Sequence, residues 1–243
     1  MGRRLATAWG LLLAGAVLAA PPPGPPQFQV LRSSDGLPSN MAQVVRQDHD
    51  GFIWIGTRHG LARYDGAAFR HWRNDPRDPA SLAGNDVTAL LVDRLGRLWC
   101  GIEGGGVSLL QADGRFRHFR HVEGRSDSLG SDDVMALAED IDGAIWVGTY
   151  LGGLARIAAD GKVTRFEHSA DDAHGLRSNF VLGLHGDRQG RLWIGTDRGL
   201  DVRLADGRFV AVDLAAADAP PAAMVAACWA EDDGDMLVGL RGG

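Results

Sequence analysis

The chain has 243 residues, of which 45% are apolar, and 25 basic against 31 acidic side chains leave a formal net charge of -6. That apolar share is enough for a packed core, and the length permits one or two domains. The acidic balance offers no general attraction to a polyanion, which excludes nucleic acid as an expected partner.

The chain opens with Arg3 and Arg4, then an apolar run from Leu5 to Ala20, then Pro21, Pro22 and Pro23. This pattern over residues 1–20 predicts a secretory signal peptide cleaved near Ala19, because Val17 and Ala19 are small residues at the right offsets. A membrane anchor is the competing reading, but the run is short against the roughly 20 residues that a spanning helix needs. Loss of the two arginines takes the charge from -6 to -8. Residues 21–27 are a Pro-rich linker, and no later apolar stretch is long enough to span a bilayer, so an exported, soluble mature chain is expected.

After the linker one phrase returns four times: GFIWIGT at Gly51–Thr57, GRLWCGI at Gly96–Ile102, GAIWVGT at Gly143–Thr149 and GRLWIGT at Gly190–Thr196. A fifth, degraded copy at Gly234–Leu240 has Leu237 in place of the tryptophan. Trp54, Trp99, Trp146 and Trp193 therefore recur every 45 to 47 residues. A period of that length built from short strands predicts an all-β fold, a β-propeller of four-stranded blades, rather than a helical solenoid.

Each unit reads as four strands. The first is a buried inner strand: Val44–Gln47, Val87–Val92, Val134–Ala138 and Phe180–Leu184. A carboxylate then stands three residues before a glycine, in the pairs Asp48/Gly51, Asp93/Gly96, Asp140/Gly143, Asp187/Gly190 and Glu231/Gly234. Asp at the first position and Gly at the fourth suit a type I hairpin turn. DHDG and DIDG also resemble the start of a calcium loop, but the glycine comes too early and no Glu follows at the required distance, so no metal is expected.

The second strand, as in Phe52–Thr57, puts Ile53 and Ile55 on one face and Phe52 and Trp54 on the other, which suits a strand sandwiched between two blades. A recurrent tryptophan serves either as a stacking platform for a ligand or as filler between twisted sheets, and one fixed strand position in every blade favours the filler. Third strands start at Gly60, Gly106, Gly153 and Gly199. The fourth strands, Phe69–Arg73, Phe116–His121, Val163–His168 and Phe209–Asp213, mix basic and aromatic residues as an exposed edge does. Of the two cysteines, Cys100 stands where other units have Ile55, Val147 and Ile194, and Cys228 lies three units away, so neither a disulfide nor a zinc site is expected.

These phrases, D-x-x-G-x-(I/L)-W-(I/V/C)-G, with GLPSN and the connecting segments Asn74–Val87, Val122–Val134 and Ser169–Val181, resemble the two-component regulator propeller repeat. The resemblance implies the exported sensor region of a receptor, on the periplasmic side of the inner membrane, with histidine kinase or diguanylate cyclase output. It further implies a ring of seven blades and a homodimeric receptor. On that footing the boundaries are residues 28–40 for an outer closing strand and loop, then blades at about 41–84, 85–130, 131–178 and 179–223, and a partial blade at 224–243. About four and a half blades are encoded, so the chain is expected to be the N-terminal part of a longer receptor, attached to the membrane only through a C-terminal part.

Function is expected where the units disagree. The loop after the second strand carries Arg58 and His59, then Glu103, then Tyr150, then Asp197 and Arg198, against a repeating frame. These are the candidate ligand-binding residues, with solvated loop residues as the plain alternative. Asn40, Asn85, Asp132 and Asn179, before each inner strand, are expected to bond local backbone. No nucleophile elbow and no zinc-binding HExxH motif is present, so no catalytic residue, cofactor or metal is assigned. The leading function is a ligand-sensing propeller for a small molecule or oligosaccharide. A protein-interaction scaffold and a propeller-type lyase or hydrolase are the alternatives.

Overall fold

Short strands separated by glycine and aspartate turns pair only with their sequence neighbours, and that local pairing sets the architecture of this chain. A computed structural model describes residues 28, 30–172, 174–214, 223–230 and 235–241. The expected signal and linker, residues 1–27, lie outside them, as do Glu231 and Gly234 of the fifth turn. Residues 1–30 and 31–243 group as two units by contact. Of the first, Phe28 and Val30 are described, both exposed and outside any strand.

From Leu31 on, four sheets of four antiparallel strands follow one another, with strands adjacent in sequence adjacent in space. Blade one comprises β1 (Ala42–Gln47), β2 (Ile53–Thr57), β3 (Gly60–Tyr64) and β4 (Phe69–Trp72). Blade two has β5 (Val87–Val92), β6 (Leu98–Ile102), β7 (Gly106–Leu110) and β8 (Phe116–Phe119). Blade three has β9 (Val134–Glu139), β10 (Ile145–Thr149), β11 (Leu154–Ile157) and β12 (Val163–Phe166). Blade four has β13 (Val181–Gly186), β14 (Leu192–Thr196), β15 (Gly199–Arg203) and β16 (Phe209–Ala211), and a hairpin of β17 (Met224–Ala230) and β18 (Met236–Arg241) follows. The inner strands β1, β5, β9, β13 and β17 lie side by side, so the sheets form an arc of four propeller blades and a fifth hairpin. They line a trough of about 810 Å³.

The repeated turn is built from its aspartate. In blade three, Asp140 Oδ1 accepts from the backbone N–H groups of Asp142 and Ala144, each at 2.9 Å, and Gly143 takes φ 82° to close the turn. The other oxygen, Oδ2, accepts from the indole Nε1–H of Trp146 at 3.0 Å. The same bond recurs from Trp54 to Asp48 at 2.7 Å, Trp99 to Asp93 at 2.8 Å and Trp193 to Asp187 at 2.9 Å. Each aspartate thus ends the inner strand, shapes the hairpin and fixes the ring in the second strand. Its oxygens are filled by N–H donors, which is the chemistry of a turn and not of a cation site.

Held that way, each ring packs into the gap between its own blade and the next. Trp54 joins a core cluster with Leu98, Cys100 and Ile102 of blade two, Trp99 one with Ile145 and Val147 of blade three, and Trp146 one with Leu192 and Ile194 of blade four. Within their own blades the rings meet the outer strand, Trp54 on Trp72 at 5.1 Å, Trp99 on Phe119 at 5.8 Å and Trp146 on Phe166 at 5.3 Å. In these three blades the rings serve as packing between twisted sheets.

The glycine two residues after each tryptophan has an equally specific reason. A Cβ on Gly148 would lie 2.5 Å from Val181 Cγ1 of the next inner strand, and one on Gly101 2.6 Å from Val134 Cγ1. Both cysteines are buried and free, and burial pushes the Cys228 thiol up to about 12.

One expectation is corrected. The inner strand of blade one is mostly exposed, Val45 at 48%, because no blade packs on its outer side in this arc. Residues 30–32 are described outside any strand. Ser33–Asp35 is a 3-10 turn, and Leu37 buries against Ile55 and Ala62. The fourth-strand histidines are also more than edge protection. His118 bonds the Pro79 carbonyl at 3.1 Å, and just beyond the strands His121 and His168 bond the Leu129 and Leu176 carbonyls at 2.8 Å.

Two predictions follow from this packing. Gly148→Ala should cost about 1–3 kcal/mol of unfolding free energy in urea titration, and adding Val181→Ala should cost less than the sum of the two single losses. Burial raises the carboxyl groups of Asp140 and Asp187, but bonds from the indole, backbone and arginine donors outweigh it and leave both below the usual range. Their stabilisation is then complete above an unfolded value of about 3.9 and is lost as pH falls through the lower folded values. Stability measured against pH should drop below about pH 4, less steeply in Asp140→Asn.

Candidate ligand-recognition face

The loops after the second strands all emerge on one face, together with the connections between blades. Their backbones are fixed by a repeated set of bonds. Thr57, Thr149 and Thr196, all fully buried, donate their hydroxyls to the carbonyls of Gly60, Gly153 and Gly199 at 2.8 to 2.9 Å. Glu103 N–H bonds the Asp86 carbonyl at 3.0 Å and Tyr150 N–H the Asp133 carbonyl at 2.8 Å, each at the entrance of its own inner strand. Gly60, Gly106 and Gly153 donate to Asn85, Asp132 and Asn179 of the following blade at 2.8 to 2.9 Å. Gly60 has φ 122°, and a Cβ there would meet the Trp72 carbonyl at 2.6 Å.

The entrance residues behave as the sequence predicts. Asn40, Asn85, Asp132 and Asn179 accept through Oδ1 from the N–H of Ser33, Asn74, His121 and His168 at 2.6 to 2.9 Å. They close the connections and leave the outward loops to carry difference.

Of the six candidates, Arg58, His59, Glu103, Tyr150 and Arg198 are exposed and Asp197 is half-buried. Asp197 is held by the Ser178 hydroxyl at 2.5 Å, and Arg198 reaches the Arg177 carbonyl at 3.3 Å. The structure links most of these loops. Gly104 N–H bonds Asp133 Oδ1 at 2.8 Å, the Tyr150 ring stands edge-on to Phe180 at 4.6 Å, and Asp197 N–H bonds the Phe180 carbonyl at 3.4 Å. Glu103, Tyr150, Asp197 and Arg198 therefore share one rim across blades two to four. Arg58 and His59 stand at its blade-one end, tied in through Gly60 and Asn85.

Sequence reasoning missed three members of this rim. Leu151 is 64% exposed and adopts φ 61°, a left-handed conformation costly for a branched side chain. Close packing of Gly152 on Gly130 and Ser131 holds it there, since a Cβ on Gly152 would come 2.6 Å from Ser131 Cβ. Phe180 and Asp133 buttress the rim. One signal was readable: Thr57 to Gly60 and Thr196 to Gly199 span three positions, but Ile102 to Gly106 and Thr149 to Gly153 span four. The two longer loops are neighbours. Beneath the rim, Asp201 is 1% exposed and paired with Arg177 Nε, and burial pushes its carboxyl up against the pull of that arginine.

The fold and this face define a β-propeller with a uniform frame and a variable rim. The family described as two component regulator propeller matches at residues 36–59, 81–104, 128–151 and 175–198, so four segments of the chain carry that repeat. Each match begins in a connection and ends in one of the rim loops. The chain is 38% identical over 56 residues to histidine kinase P4 of Formosa agariphila, a match spanning 23% of this chain and 4% of that protein. Among solved structures it is similar to an extracellular domain described as that of a hybrid two component system from B. thetaiotaomicron. That likeness has a TM-score of 0.74 and 22% identity, covering 87% of this chain and 29% of the other. Virginiamycin B lyase from Staphylococcus aureus shares the fold at a TM-score of 0.59 and 16% identity, over 83% of this chain and 64% of its own.

Proposed function

We propose that this chain is the ligand-sensing propeller of an exported signalling receptor, acting on the periplasmic side of the inner membrane and performing no chemistry itself. The repeat family and the match to a histidine kinase support the receptor setting, with kinase or diguanylate cyclase output in the rest of the protein. The observation that carries the reading is the rim: loops locked by the same bonds in successive blades present Arg58, Glu103, Tyr150 and Arg198 in turn. An exposed aromatic ring beside charged, hydrogen-bonding side chains suits a polar small molecule or an oligosaccharide.

His118, His121 and His168 are committed to backbone carbonyls, and the turn carboxylate of Asp140 to an indole and backbone amides. Thermal-shift screening with oligosaccharides and small polar molecules should find a stabilising ligand. Tyr150→Ala and Arg58→Ala should each weaken it about tenfold, near 1.4 kcal/mol, with the unliganded melting point unchanged. No shift with any compound, and capture of a protein partner that Tyr150→Ala abolishes, would instead assign the rim to a scaffold.

A further inference from the structure

The third strands repeat a small residue at a fixed register, with one exception. Opposite Ile55, Cys100 and Val147 stand Ala62, Ser108 and Ala155, but opposite Ile194 of blade four stands Asp201. All four are buried, so blade four carries a carboxylate in a seat that elsewhere holds an alanine or a serine. Its partner is equally unusual. In the connections Leu37, Leu82 and Leu129 are followed by Pro38, Ala83 and Gly130, whereas Leu176 is followed by Arg177.

In blade two the Ala83 N–H bonds the Ser108 hydroxyl at 3.3 Å, and in blade four the Arg177 N–H bonds Asp201 Oδ2 at 3.2 Å. To that shared backbone contact blade four adds charge: Arg177 Nε donates to Asp201 Oδ1, and Nη2 to the Leu200 carbonyl at 2.8 Å. The guanidinium lies against the start of β15, where a Cβ on Gly199 would come 3.0 Å from Nη2. Both rim residues of this blade lean on the same segment. Arg198 Nη1 donates to the Arg177 carbonyl at 3.3 Å, and the Ser178 hydroxyl donates to Asp197 Oδ1 at 2.5 Å.

Arg177 is the charge that acts on Asp201. On either side β14 and β16 set the uncharged Ile194 and Ala211, and blade three brings Trp146, Leu154 and Phe166 to this interface. Arg203, two residues on along the same strand face, turns to the Trp146 and Phe166 rings at 5.0 and 5.7 Å. On the connection, Asp172 and His174 are exposed, and Asp172 holds the His174 N–H at 3.0 Å. A carboxylate so buried is sustained as an anion by the one guanidinium that faces it.

We propose that Arg177 and Asp201 are a positioning pair for the rim, which holds Asp197 and Arg198 in place while Asp201 is ionised and frees them when it takes a proton. This rests on the reading of the rim as a ligand-recognition face, and it makes recognition at blade four sensitive to acid. Burial outweighs the arginine and holds the Asp201 carboxyl above its ordinary value, so release comes above about pH 3.9. In that window the folded chain binds a proton more readily than the unfolded chain, and this group adds stability as pH falls. Asp140 and Asp187 give way only below about pH 4. The loop is therefore freed while the fold is intact.

Amide exchange followed by NMR, with each rate divided by the intrinsic rate at that pH, tests the pair without any ligand. Between about pH 7 and 4.5, protection of the Asp197 and Arg198 amides should fall about tenfold, with the same midpoint as the Asp201 carboxyl carbon. Tyr150 and Leu151 of blade three should keep theirs, and the melting point should not fall over that range. Asp201→Asn should show the low protection already at neutral pH, with a flat profile. Arg177→Lys, which keeps a charge, should retain more protection than Arg177→Leu. Protection of Asp197 and Arg198 that persists after the Asp201 carboxyl has titrated, or that falls equally at Tyr150 and Leu151, would overturn the assignment. So would an Asp201→Asn chain as protected as the unaltered one. Because no ligand is used, failure here is separate from failure of the thermal-shift screen, which bears on the rim reading alone.

Discussion

The bond from each tryptophan indole to the aspartate six residues earlier is the constraint on which the rest of this structure depends. The carboxylate shapes the hairpin with one oxygen and fixes the ring with the other. A ring so fixed fills the space between twisted sheets, and the glycine beyond it lets the valine of the next blade approach. An aspartate that shaped only the turn would leave the indole N–H buried without a partner, a loss of about 1–3 kcal/mol. Three requirements, turn, packing and hydrogen bonding, thus meet in one residue pair per blade.

Much of this was legible in the chain. Strands with a period near 46 residues, turns with Asp and Gly at fixed spacing, and tryptophans at one strand position give the blades and their order. The indole bond was equally present as the D-x5-W spacing, but reading the aspartate as a turn residue and the tryptophan as filler separated two halves of one interaction. The inner strand of blade one was misjudged because burial comes from neighbours that a local pattern does not contain. Asp201 hid among charged residues of a strand, and only the register places it at the position of Ala62, Ser108 and Ala155.

The candidate rim divides similarly. Exposure of Arg58, Glu103 and Tyr150 followed from a variable loop on a repeated frame. The half-buried state of Asp197 and the strained backbone of Leu151 arise from contacts with Ser178 and with Gly130, which sit in other segments. The frame leaves little freedom: loops bonded at both ends to strand entrances vary in side chain and, in blades two and three, by one residue in length. In the proposed reading recognition and stability fall in different residues, so that binding could change without the fold changing.

A double-mutant cycle on Asp140→Asn and Trp146→Phe, read by urea unfolding at neutral pH, tests the central claim most directly. The account predicts that the two losses are coupled by about 1 kcal/mol or more, since either change alone breaks the same bond. Additive losses within about 0.3 kcal/mol would show that the aspartate and the tryptophan act separately, and would contradict it.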